Sequence, residues 1–107
     1  MIRETLAPSS THMDVAFSQG AIWDAYRAST SGSTTGQSLT ASLPYWVKLV
    51  RSGSNFSGYA SPDGVNWTQV GTTQTISMAQ NVYIGLAVSS NKNSLLATAT
   101  IDNVSIQ

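Results

Sequence analysis

The run NVYIGLAVSS, residues 81–90, alternates strictly: Val82, Ile84, Leu86 and Val88 fall on one parity, and Tyr83, Gly85, Ala87 and Ser89 on the other. A strand is the element that sends successive side chains to opposite faces, so this run reads as β with one apolar face. The period of two recurs along the chain, and no segment carries a convincing 3.6-residue repeat. Residues 1–5, 12–18, 21–28, 44–52, 55–61, 66–70 and 95–106 read as further strands, punctuated by Gln19-Gly20, Gly53-Ser54 and Asp63-Gly64. In the last of these the apolar phase shifts between Ile101 and Val104, which predicts a bulge at Asp102-Asn103. Several short strands with turn signals between them predict an all-β fold, an antiparallel β-sandwich in a single domain spanning residues 1–107.

Two stretches fall outside this pattern. Residues 29–43 are hydroxyl-rich and punctuated by glycine, and are expected to form a long mobile loop. Residues 76–80, ISMAQ, have room for one helical turn at most.

Composition removes several function classes. The net charge is zero and 9% of residues are charged, so the basic stripe that nucleic-acid binding requires is missing, as is a polybasic membrane patch. No apolar run is long enough to span a bilayer. Without cysteine there is no disulfide, thiolate metal site or thiol nucleophile. The chain opens without a signal pattern, so as written it is expected in the cytoplasm.

The first hairpin carries the densest chemistry. His12, the one histidine, lies two residues before Asp14, and on a strand such a pair shares a face about 6.5–7 Å apart. What joins the pair depends on the turn at Gln19-Gly20. A two-residue turn puts His12 and Asp14 on a face with Trp23 and Arg27. The opposite face is then Met13, Val15, Phe17, Ile22 and Tyr26, with Asp24 as the misfit. A three-residue turn instead brings Asp24 and Tyr26 to the His12 face, because a one-residue slip flips every side chain. The two-residue turn gives the cleaner core. Zinc wants three or four ligands, which one chain with one histidine does not supply, but a symmetry axis would multiply His12 and Asp14 into a shared site able to activate water. Other templates fit poorly. No Glu-x-Asp-x-x-Glu run marks a glucanase pair, no serine stands out for a triad, and no phosphate loop occurs.

SPDGVNW, residues 61–67, raises three readings: a tight turn, a metal loop around Asp63, or a sugar-stacking tip at Trp67. Asp-Gly supplies the positive-φ positions of a hairpin, so the turn reading is sufficient. Trp67 is then expected to cover Gly58 on the neighbouring strand.

Taken in order, the strand PYWVKLVRS, the Ser-x-Asp-Gly-x-x-Trp turn, the strand VYIGLAVSS and the ending ATIDNVSI resemble concanavalin A-like lectin/glucanase jelly-roll modules of bacterial secreted and multidomain proteins. The resemblance covers essentially the whole chain. It implies a jelly roll, a secreted or extracellular setting and a carbohydrate ligand. Similar modules carry further strands before the position of Met1, and residues 1–5 resemble an internal strand. The exposed edge this implies is a template for pairing, so a homo-oligomer, dimer or trimer, with closed symmetry is expected. A late-strand Asp in similar modules joins a structural calcium site, which implies that role for Asp102.

Three functional readings follow. The first is a lectin-like carbohydrate-binding module that holds a neutral glycan by stacking on Trp23, Trp46 or Tyr59, with hydrogen bonds from polar side chains such as Arg27. The second is a metal-dependent hydrolase of activated esters or phosphoesters. Its zinc or other divalent metal would sit at a subunit interface on His12 and Asp14, joined by Asp24 or Glu4. The third is an inactive oligomeric fragment.

Overall fold

The computed structural model describes residues 1–18, 20–40 and 45–86. The described residues form eight strands: β1 (Ile2–Arg3), β2 (His12–Ser18), β3 (Ala21–Arg27), β4 (Thr35–Thr40), β5 (Trp46–Ser52), β6 (Asn55–Ser61), β7 (Thr68–Thr75) and β8 (Tyr83–Ile84). They make a five-stranded sheet ordered β4-β3-β2-β1-β8 and a three-stranded sheet ordered β5-β6-β7. All pairings are antiparallel. The chain is therefore an all-β sandwich. The expected strand at 95–106, its bulge and Asp102 lie outside the described residues.

Hairpin β2–β3 takes the two-residue turn. Ser18 pairs with Ala21 and His12 with Arg27, and every pair between keeps that register. Met13 and Ile22 are thereby carried into the interior, and Asp24 goes with them, fully buried. On the small sheet the inward parity is Phe56, Gly58 and Ala60, all buried. Two apolar clusters result. One joins Ile2, Met13, Phe56, Ile76 and Met78. The other joins Ile22, Ala60 and Val70. Full burial of an Ile, Val, Met or Phe side chain stabilises by about 1.5–3 kcal/mol, so these few residues supply the main cohesive term.

Gly58 stands where the two sheets are in close contact. A Cβ there would lie 2.8 Å from Val15 Cγ2 and 3.3 Å from Asp24 Cβ. The space left by Gly58 is thus filled by the facing sheet, which corrects the expectation that Trp67 covers it. Parity decides the matter: Gly58 points inward, and Trp67 lies with Lys48 on the outer side.

One more expectation changes. Residues 35–40, read as part of a mobile loop, form β4 and pair with β3 from Ala21↔Thr40 to Tyr26↔Thr35. Composition alone undersold this segment, because Leu39 packs against the Ile22 cluster and Gln37 reaches across to the other sheet. Residues 76–79 make no helical turn. Ile76 and Met78 are buried and Ser77 is exposed, so the segment crosses the end of the sandwich as an alternating strap. Arg51 anchors it from β5, donating to the Ala79 carbonyl at 2.7 Å and the Met78 carbonyl at 2.8 Å. Glu4 Oε2 accepts the Ala79 N–H at 2.8 Å.

Candidate functional site

The outer face of the small sheet gathers aromatics around one cation. In β5 the outward parity is Trp46, Lys48 and Val50, and the cross-strand partner of Lys48 is Tyr59. The Lys48 ammonium lies 4.4 Å from the Trp67 ring centroid and 4.9 Å from that of Tyr59, both within cation–π range. Tyr59 pairs in turn with Gln69, whose amide donates to Thr73 Oγ1 at 3.0 Å, and Thr73 meets Ser57 Oγ at 2.8 Å. The aromatic cluster is therefore rimmed by amides and hydroxyls.

The turn at residues 61–67 is built from within. Asp63 Oδ1 accepts the N–H groups of Val65 at 2.8 Å and Asn66 at 2.9 Å, together with the Ser61 hydroxyl at 2.9 Å. Oδ2 accepts the Asn66 side-chain amide at 2.9 Å. These donors, led by the Asn66 N–H, hold the Asp63 carboxyl far below the usual carboxylate range. Both oxygens are thus engaged by the turn itself, which is what the turn reading expects and not what a metal loop needs.

The turn also supports Trp46. Gly64 sits at φ +76°, and a Cβ there would stand 2.9, 3.1 and 3.3 Å from Cε2, Cδ2 and Cζ2 of Trp46. A point nearly equidistant from those three atoms lies over the ring face. One face of the indole therefore packs on the Gly64 backbone, while the side chain as a whole remains 40% exposed. Glycine serves the turn by its backbone freedom and serves Trp46 by having no side chain.

The other expected residues lie elsewhere. Trp23 is on the outer face of the large sheet, 39% exposed, and donates Nε1–H to the Ser18 carbonyl at 3.3 Å. It is on the opposite side of the sandwich from Trp46 and Tyr59, so the three do not form one surface. Arg27 binds backbone: Pro8 O at 2.7 Å, Gly32 O at 2.9 Å and Ser10 O at 3.3 Å, and it reaches Thr34 Oγ1 at 3.3 Å. Its guanidinium ties two connections down on the sheet.

His12 and Asp14 do share a face, with His12 Nε2 3.9 Å from Asp14 Oδ2. His12 is buried, and Nδ1 lies 3.3 Å from the Ser10 carbonyl. Burial pushes the Asp14 carboxyl up, an effect opposed by His12, the chain's amino terminus and Arg3 in that order. Asp24 points to the opposite face, into the sandwich, so the three-residue-turn grouping with His12 is not formed. Glu4 is engaged with Ala79. Among the described residues no three His, Cys, Asp or Glu side chains converge as a metal set. No helix there is long and apolar enough to cross a membrane.

Sequence reasoning passed over Lys48 and read Gly64 only as a turn residue. Alternation along β5 would have placed Lys48 beside Trp46, but the backing role of Gly64 depends on which way the turn folds. No family model matches the chain, and neither a curated protein nor a solved structure does.

Proposed function

We propose that this chain is a lectin-like carbohydrate-binding module whose glycan lies on the outer face of the three-stranded sheet, with Trp46 as the stacking platform and Tyr59 beside it. The observation that carries this reading is the Trp46 indole, packed on Gly64 by one face and 40% exposed. A ring held from behind loses little freedom when a pyranose stacks on it, and the apolar face of a sugar matches an indole face. The surrounding Gln69, Ser57 and Thr73 offer hydrogen bonds of the kind sugar hydroxyls make. Concanavalin A-like jelly-roll connectivity belongs to the same proposal and is supported by the two-sheet architecture and the motif order.

The test is affinity electrophoresis in soluble polysaccharide gels. Wild type is expected to be retarded, and Trp46→Ala to run free with its circular dichroism unchanged. Equal retardation of both proteins would remove Trp46 from the site, and no retardation in any gel would count against the reading.

The hydrolase reading draws on the approach of His12 to Asp14, but burial of His12 leaves little room for a ligand from a second subunit. Homo-oligomerisation remains part of the proposal on separate grounds. Leu6, Tyr83, Ile84 and Leu86 are 71%, 53%, 52% and 65% exposed. They surround a recess of about 240 Å³ beside β8, which gives a second copy an apolar surface to cover.

A further inference from the structure

The carbohydrate reading leaves the charge of the ligand open, and Lys48 bears on it. Lys48 follows Trp46 by two residues on β5, so both side chains leave the same face about 7 Å apart. Its ammonium is aligned by two rings, Tyr59 on the neighbouring strand and Trp67 just before β7. Among the described residues the one contact within 4.0 Å between a carboxylate and a basic side chain is His12 with Asp14, so Lys48 has no carboxylate partner there. The carboxylate of the adjacent turn, Asp63, is taken up by Ser61, Val65 and Asn66. The platform therefore holds an exposed, positioned cation, with no carboxylate partner among the described residues, within one sugar's reach of the stacking ring.

Resting on the carbohydrate reading and narrowing it, we infer that the ligand is an acidic glycan: a uronate ring stacks on Trp46 and its carboxylate is received by the Lys48 ammonium. This replaces the neutral glycan of the lectin-like reading of the sequence. Ring stacking is indifferent to charge, whereas the ammonium rewards an anion at one defined distance from the stacked ring. An ion-paired hydrogen bond contributes more than a neutral one, and two aromatic faces keep the ammonium in place without neutralising it.

The experiment compares uronate tetrasaccharides (galacturonate, mannuronate and guluronate backbones) with their methyl esters, which keep the ring and remove the charge. Binding is measured by titration calorimetry at low and moderate salt. For the backbone that binds, wild type is expected to prefer the acid over its ester by about tenfold, the size of one charge-assisted hydrogen bond, and the preference should shrink with salt. Lys48→Gln should remove the preference, bringing the acid down to the level of the ester. Lys48→Arg should keep the preference, and Trp46→Ala should weaken acid and ester together. Equal binding of acid and ester by wild type, or a preference that survives in Lys48→Gln, would overturn the inference and leave the carbohydrate reading standing. Binding of neither by wild type, with retention on neutral polysaccharide gels, would also overturn the inference alone. Binding of neither, with no retention on any gel, would overturn both.

Discussion

Asp24 shows what one residue costs when register places it inside. Its Oδ1 accepts the Gln37 N–H at 3.0 Å, while Oδ2 is buried with no hydrogen-bond partner. Burial is the leading cause that pushes its carboxyl up, with the Gln37 N–H acting the other way. The folded protein therefore takes up this proton at a higher pH than the unfolded chain does. Above the folded value the cost of a buried charge is fully present. As pH falls towards the ordinary carboxylate value of about 4, that cost is relieved. Asp14, also raised, contributes with the same sign. Asp63, lowered, contributes stability that begins to be lost only below that ordinary value. Thermal stability is thus expected to rise as pH falls from neutral towards that ordinary carboxylate value. Asp24→Asn should raise the melting temperature at pH 7 by roughly 4–8 °C, corresponding to about 1 kcal/mol, and should flatten the acid-side rise. Melting curves of the two proteins across that range check this; parallel curves would show that Asp24 is not the source. The misfit itself was legible, since a two-residue turn puts Asp24 among Met13, Val15 and Ile22. The orphaned oxygen was not, because it depends on Gly58 and Val15 closing over the site.

Among the elements, β4 departs furthest from what its residues suggest. Thr-Gly-Gln-Ser-Leu-Thr has little to bury, and it stands at the edge of the large sheet. What fixes it is a tether to the other sheet. Gln37 Oε1 accepts the Thr72 N–H at 2.7 Å. That N–H is free because β7 bulges: the pairing jumps from Gly58↔Val70 to Phe56↔Gln74, with Gly71 at φ +69° between. Gln37→Ala should cost about 1 kcal/mol, and the amides of residues 35–40 should exchange with solvent faster while those of β2 and β6 are unaffected. Hydrogen exchange read by mass spectrometry distinguishes this from uniform destabilisation. The β2–β3 hairpin was readable because Met13, Ile22 and Tyr26 fall into one phase under a two-residue turn. A side-chain tether joining residues 35 positions apart leaves no mark in local pattern. The same holds for Arg51, a charge on the inward parity of β5 that anchors the strap at 76–79.

At the scale of the molecule, five of the described strands oppose three, and the small sheet lies over β2, β3 and β4. The strap covers Ile2 on β1, but Ile84 and Leu86 beyond it stay open with Leu6 and Tyr83. If a second copy covers these residues, native mass spectrometry should give dimers or trimers, and Ile84→Lys with Leu86→Lys should return the protein to monomer while it remains folded. A wild-type monomer at micromolar concentration would remove the oligomer from the proposal.

The strap has a further consequence, in time. The Glu4–Ala79 hydrogen bond joins residues 75 apart in sequence, and β1 pairs on one side with β2 and on the other with β8. The hairpin β2–β3 and the meander β5-β6-β7 consist of sequence neighbours and can close early, since short loops lose little chain entropy. Tight docking of β1 must wait for residue 79 and the Arg51 anchor. Residues 2–4 are therefore among the last to reach their final neighbours, and until then Ile2 and Met13 remain open to any other apolar chain nearby.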